Sequence, residues 1–520
     1  MRYCGISLLA FAFVVGSCAH KAPAVVVPAG PTTAVRIARA EALIREGCLD
    51  CLLEAFNEYD ALLANAAVGE AALNGAVETA TLIALREREL GLLDEPFMDR
   101  ARELAAGSKP LDAAYAPLFE IIETMPARRT VGPGALGDDR SLAAIQKAYR
   151  NRDAWLDVLH DRAEQDAVFA YAWLAFNCTA PLNGINQGDV PRWLGATGSW
   201  CDSPLLTFRA ATCGSYDRGA LARLIDADPR FIEIDYFLAF TATRQGKLYE
   251  AAALLQKAYE WRPRWPAVTL QMGGVYLTAE EFEASHEFYE RTLTIAPGFA
   301  DALLGDIKAL TYAGRHEEAI TTVDRLLALE HWYIGDARYW RALNEAQLTR
   351  YDEAWVDVEL ASKLIYNGDV PNLAGIIAYR RHELDVSRAK FEESRTRNPG
   401  DCEVGFYLQV VDAEQGQWAP VADIAPTSAV CFDQQEVELK NQIADTRTRA
   451  LAPERLARQI ARREQTIANN ARMRAACWFN AAVASFNLKK ADDVRRYGEK
   501  VADDEQFSQR IKELLSRLRE

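Results

Sequence analysis

The 520-residue chain is 50% hydrophobic and carries a formal net charge of -15. That length holds several domains or one long repeat array, and the apolar content excludes a disordered polymer. The acidic balance argues against a nucleic-acid partner, because phosphates are held by clustered lysine and arginine; the local basic stretch "RQIARREQ" at 458–465 carries a glutamate and reads as a solvated helix face.

The chain opens on Arg2 and an apolar run from Ile6 to Val15, far short of the ~20 residues that span a bilayer. This pattern predicts a signal peptide over residues 1–17. The stretch "VGSC" that ends it resembles the lipobox of bacterial lipoproteins, with Val15, Gly16 and Ser17 ahead of Cys18. The resemblance implies that Cys18 is lipidated and becomes the new first residue, anchoring the protein without a spanning helix. Residues 18–34 hold Pro23, Pro28 and Pro31 and few charges, which predicts an extended tether. Ala19 after the cysteine implies, by the same resemblance, an extracytoplasmic location on the periplasmic face of the outer membrane.

Of 10 cysteines, eight remain once Cys4 and Cys18 are set aside, and an exported chain predicts disulfides among them. "GCLDC", with Cys48 and Cys51, reads as a structural disulfide or two buried thiols rather than a redox centre, and no second pair follows at zinc spacing. Residues 35–226 read as an irregular helical region. Within it the glycine- and proline-rich run between Cys178 and Cys213 predicts a long ordered loop, pinned by two of Cys178, Cys201 and Cys213.

From residue 227 the pattern becomes periodic. Pro229, Pro263 and Pro297 recur at intervals of 34 residues, and Pro399 lies three further intervals on. Ahead of them stand "GKLYEAAALLQKAYEWRP" and "EEFEASHEFYERTLTIAP", then "GRHEEAITTVDRLLALEH" and, with one inserted residue, "RYDEAWVDVELASK". Ala251, Leu254, Leu255 and Ala258 share one helical face, as do Ala319, Val323, Leu326 and Leu327. Gly246 and Gly314 fall where a left-handed residue ends a helix, and the prolines stop the second helix of each unit.

This pattern resembles the tetratricopeptide repeat, which implies an all-α fold, a helical solenoid over 227–432 preceded by the irregular helical region. Small residues at Ala251, Ser285, Ala319 and Ala354 match the family's close helix contact, and Gly273 and Gly375 its small position on the first helix. The unit near Gly368 is degenerate, with Ser387 and Ser394 in place of alanine, and the last is interrupted by Pro420 and Pro426. In that last hairpin Cys402 opens the first helix and Cys431 closes the second, so the two are expected to pair. Residues 433–520 read as a polar helix at about 433–449, another after Pro453, and a capping hairpin that ends the solenoid.

Enzyme motifs find no support. "GPGALG" at 132–137 follows no strand, and the His-Glu dipeptides at His286, His316 and His382 lack the second histidine of a zinc protease. No catalytic residue, cofactor or metal is expected. The resemblance instead implies a groove lined by the first helices, carrying Glu233, Tyr236 and Arg244, then Lys308 and Tyr312, then Asp336, Tyr339 and Gln347, then Asn372 and Arg380. Tyrosine and arginine there suit a protein or peptide ligand. The expectation is a membrane-anchored adaptor for envelope assembly or secretion, with a glycan-binding surface lipoprotein as the alternative, its site in "RWLGATGSWCDSP".

Overall fold

The computed structural model describes residues 32–64, 69–92, 96–125, 146–148, 150–179, 187–213, 216–329, 332–448 and 453–518. Cys18, the leader before it, the tether as far as residue 31 and "GPGALG" lie outside them. Among the described residues every regular element is helical. The N-terminal region holds α1 (Thr33–Glu46), α2 (Leu49–Asp60), α3 (Gly69–Leu90), α4 (Pro96–Ala106), α5 (Lys109–Thr124), α6 (Arg152–Ala163), α7 (Ala167–Thr179), α8 (Val190–Gly195), α9 (Pro204–Ala211) and α10 (Arg218–Ala227).

Antiparallel hairpins follow. They pair α11 (Glu233–Arg244) with α12 (Leu248–Trp261), α13 (Pro266–Thr278) with α14 (Phe282–Ile295), α15 (Ala300–Tyr312) with α16 (His316–Leu327), and α17 (Ile334–Gln347) with α18 (Tyr351–Ser362). Next come α19 (Asp369–Arg380) with α20 (Leu384–Arg397) and α21 (Cys402–Glu414) with α22 (Trp418–Thr448). The chain closes with α23 (Pro453–Asn487), α24 (Ala491–Glu499) and α25 (Ser508–Arg517).

One backbone device recurs at the turn of every hairpin. The first helix ends on a residue with positive φ: Gly246 (72°), Glu280 (60°), Gly314 (77°), Thr349 (62°), His382 (61°), Gly416 (70°) and, between α23 and α24, Lys489 (59°). The next N–H then returns to a carbonyl five residues back, from Lys247 to Ala242 through Lys490 to Ser485, at 2.8–2.9 Å. This closing bond satisfies a helix-end carbonyl that would otherwise have no partner. Glycine therefore holds the turn where the sequence predicts it, and ordinary residues hold the same torsion in the other hairpins.

The second device is close approach. Ala251, Ser285, Ala319, Ala354 and Ser387 are all fully buried between the two helices of their hairpins. The serines that break the alanine pattern are satisfied locally: Ser285 Oγ donates to Gly273 O and Ser387 Oγ to Gly375 O, each at 2.8 Å. A side chain at Gly273 or Gly375 would collide with Tyr289 or Phe391, so both glycines are required by packing.

Three cysteine pairs are joined: Cys48 with Cys51, Cys178 with Cys213, and Cys402 with Cys431. The segment between Cys178 and Cys213 is not one long loop. Its described part forms α8, α9 and two short 3₁₀ turns, because Pro191 and Pro204 sit at the second and first positions of their helices and Ser203 caps Leu206 N–H. The last hairpin also departs from expectation. Pro420 falls in the first turn of α22, Pro426 is accommodated inside it, and the helix runs past Cys431 to Thr448. At 31 and 35 residues, α22 and α23 form a long antiparallel arm held by Arg474 to Asp433 and Glu436 at 2.6 Å.

That arm folds back. Arg458 of α23 pairs with Glu281 at 2.8 Å, Arg463 with Glu280 at 3.2 Å, and Gln459 Nε2 donates to Ala279 O at 2.9 Å. The C-terminal helices thus reach the turn of the α13–α14 hairpin, whereas the sequence predicts an open end closed only by a polar cap. At the other end a buried ion pair joins the N-terminal region to the array. Arg86 of α3 meets Glu233 of α11 at 2.6 Å, both side chains 0% exposed, and Glu233 also accepts the Leu49 N–H at 2.9 Å. Trp265 Nε1 donates to Leu90 O beside it at 2.7 Å.

Two expected outcomes follow from these contacts. A β-branched residue with positive φ is strained by about 1–2 kcal/mol, so Thr349→Gly should raise the free energy of unfolding in urea by about 1 kcal/mol after glycine's own entropy cost. Gly314→Thr should lower it. Removing one member of a buried pair leaves the other charge stranded, so Glu233→Ala should cost about 3–5 kcal/mol, and replacing Arg86 and Glu233 together by apolar residues should recover much of that in the same titration.

Candidate partner-binding site

A continuous line of aromatic rings runs from the start of the second helix α14 onto the first helices α15 and α17. Phe282 stacks on Tyr312 with ring centres 5.3 Å apart, Tyr312 meets the edge of Trp340 at 5.8 Å, and Trp340 meets Tyr339 at 5.5 Å. Tyr312 sits one residue before the turn of α15, where the helix surface opens to solvent, and is 55% exposed. Trp340, at mid-helix in α17, is 9% exposed and acts as the floor. Lys308, one turn before Tyr312 on α15, points its ammonium over Trp340 at 5.9 Å from the ring centre. The arm supplies one end of the line, since the Arg462 guanidinium lies over Phe282 at 4.4 Å and donates to Glu280 O.

Electrostatics favour neutral phenols here. Burial first, and then the Asp369 carboxylate, raise the hydroxyls of both Tyr312 and Tyr339, the latter to about 12. Both remain hydrogen-bond donors across the physiological range. Lys308 and Arg380 add cationic groups, and Arg380 is exposed with no ion pair among the described residues.

The residues expected in the groove divide into two groups. Lys308, Tyr312 and Tyr339 lie together along the aromatic line, and Arg380 is exposed further along, on α19. Arg244 is exposed at the end of α11, in the first hairpin. Tyr236 and Glu233 are not groove residues. Tyr236 is 1% exposed and packs on Trp265 with ring centres 4.9 Å apart, and Glu233 holds the buried pair with Arg86. In a central hairpin these positions face the groove, but in the first one the N-terminal helices cover them. Phe282 and Trp340 went unnoticed in the sequence, although an aromatic residue just after the hairpin turn, close to the exposed Tyr312, is a legible signal for the first of them.

The loop proposed for glycans is also placed. Trp193 O accepts the Trp173 indole N–H at 3.2 Å, and Trp200 stacks under Arg45, whose guanidinium lies 4.4 Å from the ring centre. Cys201 is a free thiol, half-buried.

No protein-family model matches the chain, and no curated protein matches it. Among solved structures it is similar to the Cut9-Hcn1 hetero-tetramer of the APC/C, at 13% identity over 93% of each chain with a TM-score of 0.39. It is similar to a tetratricopeptide repeat protein from Parabacteroides merdae, at 15% identity over 56% of this chain and 99% of that one, with a TM-score of 0.34. PilW, described as a type IV pilus biogenesis factor, is similar over 38% of this chain and 91% of its own, at 14% identity and a TM-score of 0.35. The hairpin spacing of about 34 residues, the left-handed turn and the small-residue contacts of its own helices give this chain the fold of a tetratricopeptide-repeat solenoid.

Proposed function

We propose that the chain is an extracytoplasmic scaffold, tethered to a membrane through lipid on Cys18, that binds a protein or peptide along the Phe282–Tyr312–Trp340–Tyr339 line. The observation that supports this reading is the line itself. An aromatic ring 55% exposed beside a cation and above a second buried ring offers contact area at low entropic cost, which is the make-up of an interface anchor. The role would be that of an adaptor in envelope assembly or secretion, on the periplasmic face of the outer membrane. The tether ahead of α1 would let the solenoid stand off the bilayer.

The anchor and the groove are tested separately. Cys18→Ala is expected to move the protein from the membrane pellet to the soluble fraction; continued pelleting after a high-salt wash would remove the lipid anchor from the reading. For the groove, Lys308→Ala with Tyr312→Ala and Tyr339→Ala should weaken capture of the native partner, with anchor positions costing ~2 kcal/mol each, while the thermal midpoint stays near that of the parent. Ala319→Leu is the contrast. It overpacks the α15–α16 contact, costs about 1–3 kcal/mol of stability, and should lower the midpoint. A groove variant that unfolds like Ala319→Leu would make those residues structural, and one that stays folded with undiminished capture would place the partner elsewhere.

A further inference from the structure

A cavity of about 400 Å³ opens in the N-terminal region, formed by α1, α2, α3 and the turn carrying Trp200, away from the aromatic line. Its polar lining comes from Glu41, Arg45, Tyr59, Asn74, Glu78, Gln165 and Trp200. Tyr59 is 3% exposed, yet its hydroxyl has no hydrogen-bond partner among the described residues. The ring is enclosed while the hydroxyl opens on the cavity, where it is free to donate to and accept from a ligand. The backbone of α3 directs it there: a side chain at Gly75 would collide with the Tyr59 ring, so only glycine lets that ring lie against the helix. The amides of Asn74 and Gln165 are likewise without partners among the described residues, at the exposed rim.

The charges around the cavity cancel. Asp166, behind the wall, is raised by burial but accepts from Val168 N–H at 3.1 Å, from Arg162 at 3.0 Å and from the Tyr115 hydroxyl at 3.4 Å, contacts that favour its anion over that of Glu78. Glu78 accepts the Ala167 N–H at 3.1 Å, and burial first, then the charge of Asp166, push its carboxyl up to about 8. At neutral pH Glu78 therefore carries a proton and can donate as well as accept. The ionised side chains left on the cavity wall are Glu41 and Arg45, one of each sign, with Arg45 already engaged over Trp200 and donating to Ser199 O at 3.4 Å.

We propose that this cavity binds a neutral saccharide, its hydroxyl groups taken by Tyr59, Asn74, Glu78 and Gln165 and its apolar face set against Trp200. A wall without net charge and with several donor–acceptor groups suits a polyol better than an ion, because each ligand hydroxyl both donates and accepts. The volume falls in the range of small-molecule sites, ~300–1,000 Å³, and has room for one or two hexose rings. The site stands independently of the groove: it shares no residue with the line through Tyr312, and either can fail without the other.

The test is saturation-transfer NMR and calorimetry on the full chain with glucose, N-acetylglucosamine, maltose and diacetylchitobiose, with butylammonium as a cationic comparison. Saturable binding of at least one sugar is expected. It should weaken about tenfold or more in Tyr59→Phe, which deletes one hydroxyl and keeps the ring on Gly75, and should be unchanged in Tyr312→Ala. Gln165→Ala, at the exposed rim, should weaken the same sugar with no change in thermal unfolding and serves if Tyr59→Phe is unstable. The proposal is overturned if none of the sugars binds, if both variants bind as the parent does, or if butylammonium saturates the site and the sugars do not.

Discussion

A left-handed residue at the end of each first helix, followed by an N–H that returns to a carbonyl five residues back, sets the angle at which each second helix leaves. Because that angle is the same at Gly246, Glu280, Gly314, Thr349, His382, Gly416 and Lys489, successive hairpins meet with the same offset, and the stack can propagate. Four of those residues have a Cβ that resists the conformation. Stacking must therefore outweigh the torsion at each of them, which is the behaviour expected where every hairpin buries its apolar face only against its neighbours. The buried small residues complete the logic, since helices that leave a turn at this angle approach too closely for anything larger at Ala319 or Gly375.

A stack of hairpins has two exposed ends, and this chain covers them differently. At the first hairpin α3 supplies Arg86 to Glu233, the Leu90 carbonyl receives Trp265, and Tyr236 and Phe237 disappear into a shared core. A fully buried ion pair contributes little to stability against an apolar alternative, but it fixes register, because each charge has only one position where it is neutralised. At the far end the second helix of the last hairpin does not stop. It extends with α23 into an arm whose arginines meet Glu280 and Glu281, so the last hairpin is tied to the second.

The parts legible in the sequence are those governed by local spacing. The interval of 34 residues, the buried faces of α12 and α16, the glycine turns and the Cys402–Cys431 pair all follow from which residues recur where. What escaped depends on contacts between distant segments. Tyr236 occupies a groove position by its place in the repeat, and only the helices packed on the first hairpin turn it inward. Pro426 reads as a helix stop, yet the first turn of α22 and the packing of Val421, Ala425 and Ala429 hold the helix through it. The run from Cys178 to Cys213 looks like a loop because its helices are short and begin at prolines. The cavity at Tyr59 has no sequence signature at all, since its walls come from five separate segments.

The arm changes how the aromatic line is to be understood. Arg462 covers one face of Phe282, and Phe282 in turn holds one face of Tyr312, so the exposed ring is braced from the C-terminal end of the chain. Trp340 is nearly sealed and braces it from the other side. A tyrosine fixed on both flanks loses little freedom when a partner covers it, and that preorganisation is what separates an anchor from a merely exposed ring. Lys308 adds a charge over the same indole, which favours a partner with an acidic or carbonyl-rich segment at that point. On the proposed reading, specificity would rest on residues from α14, α15, α17 and α23 together, and a change in the arm that freed Phe282 would be felt at Tyr312 without touching it.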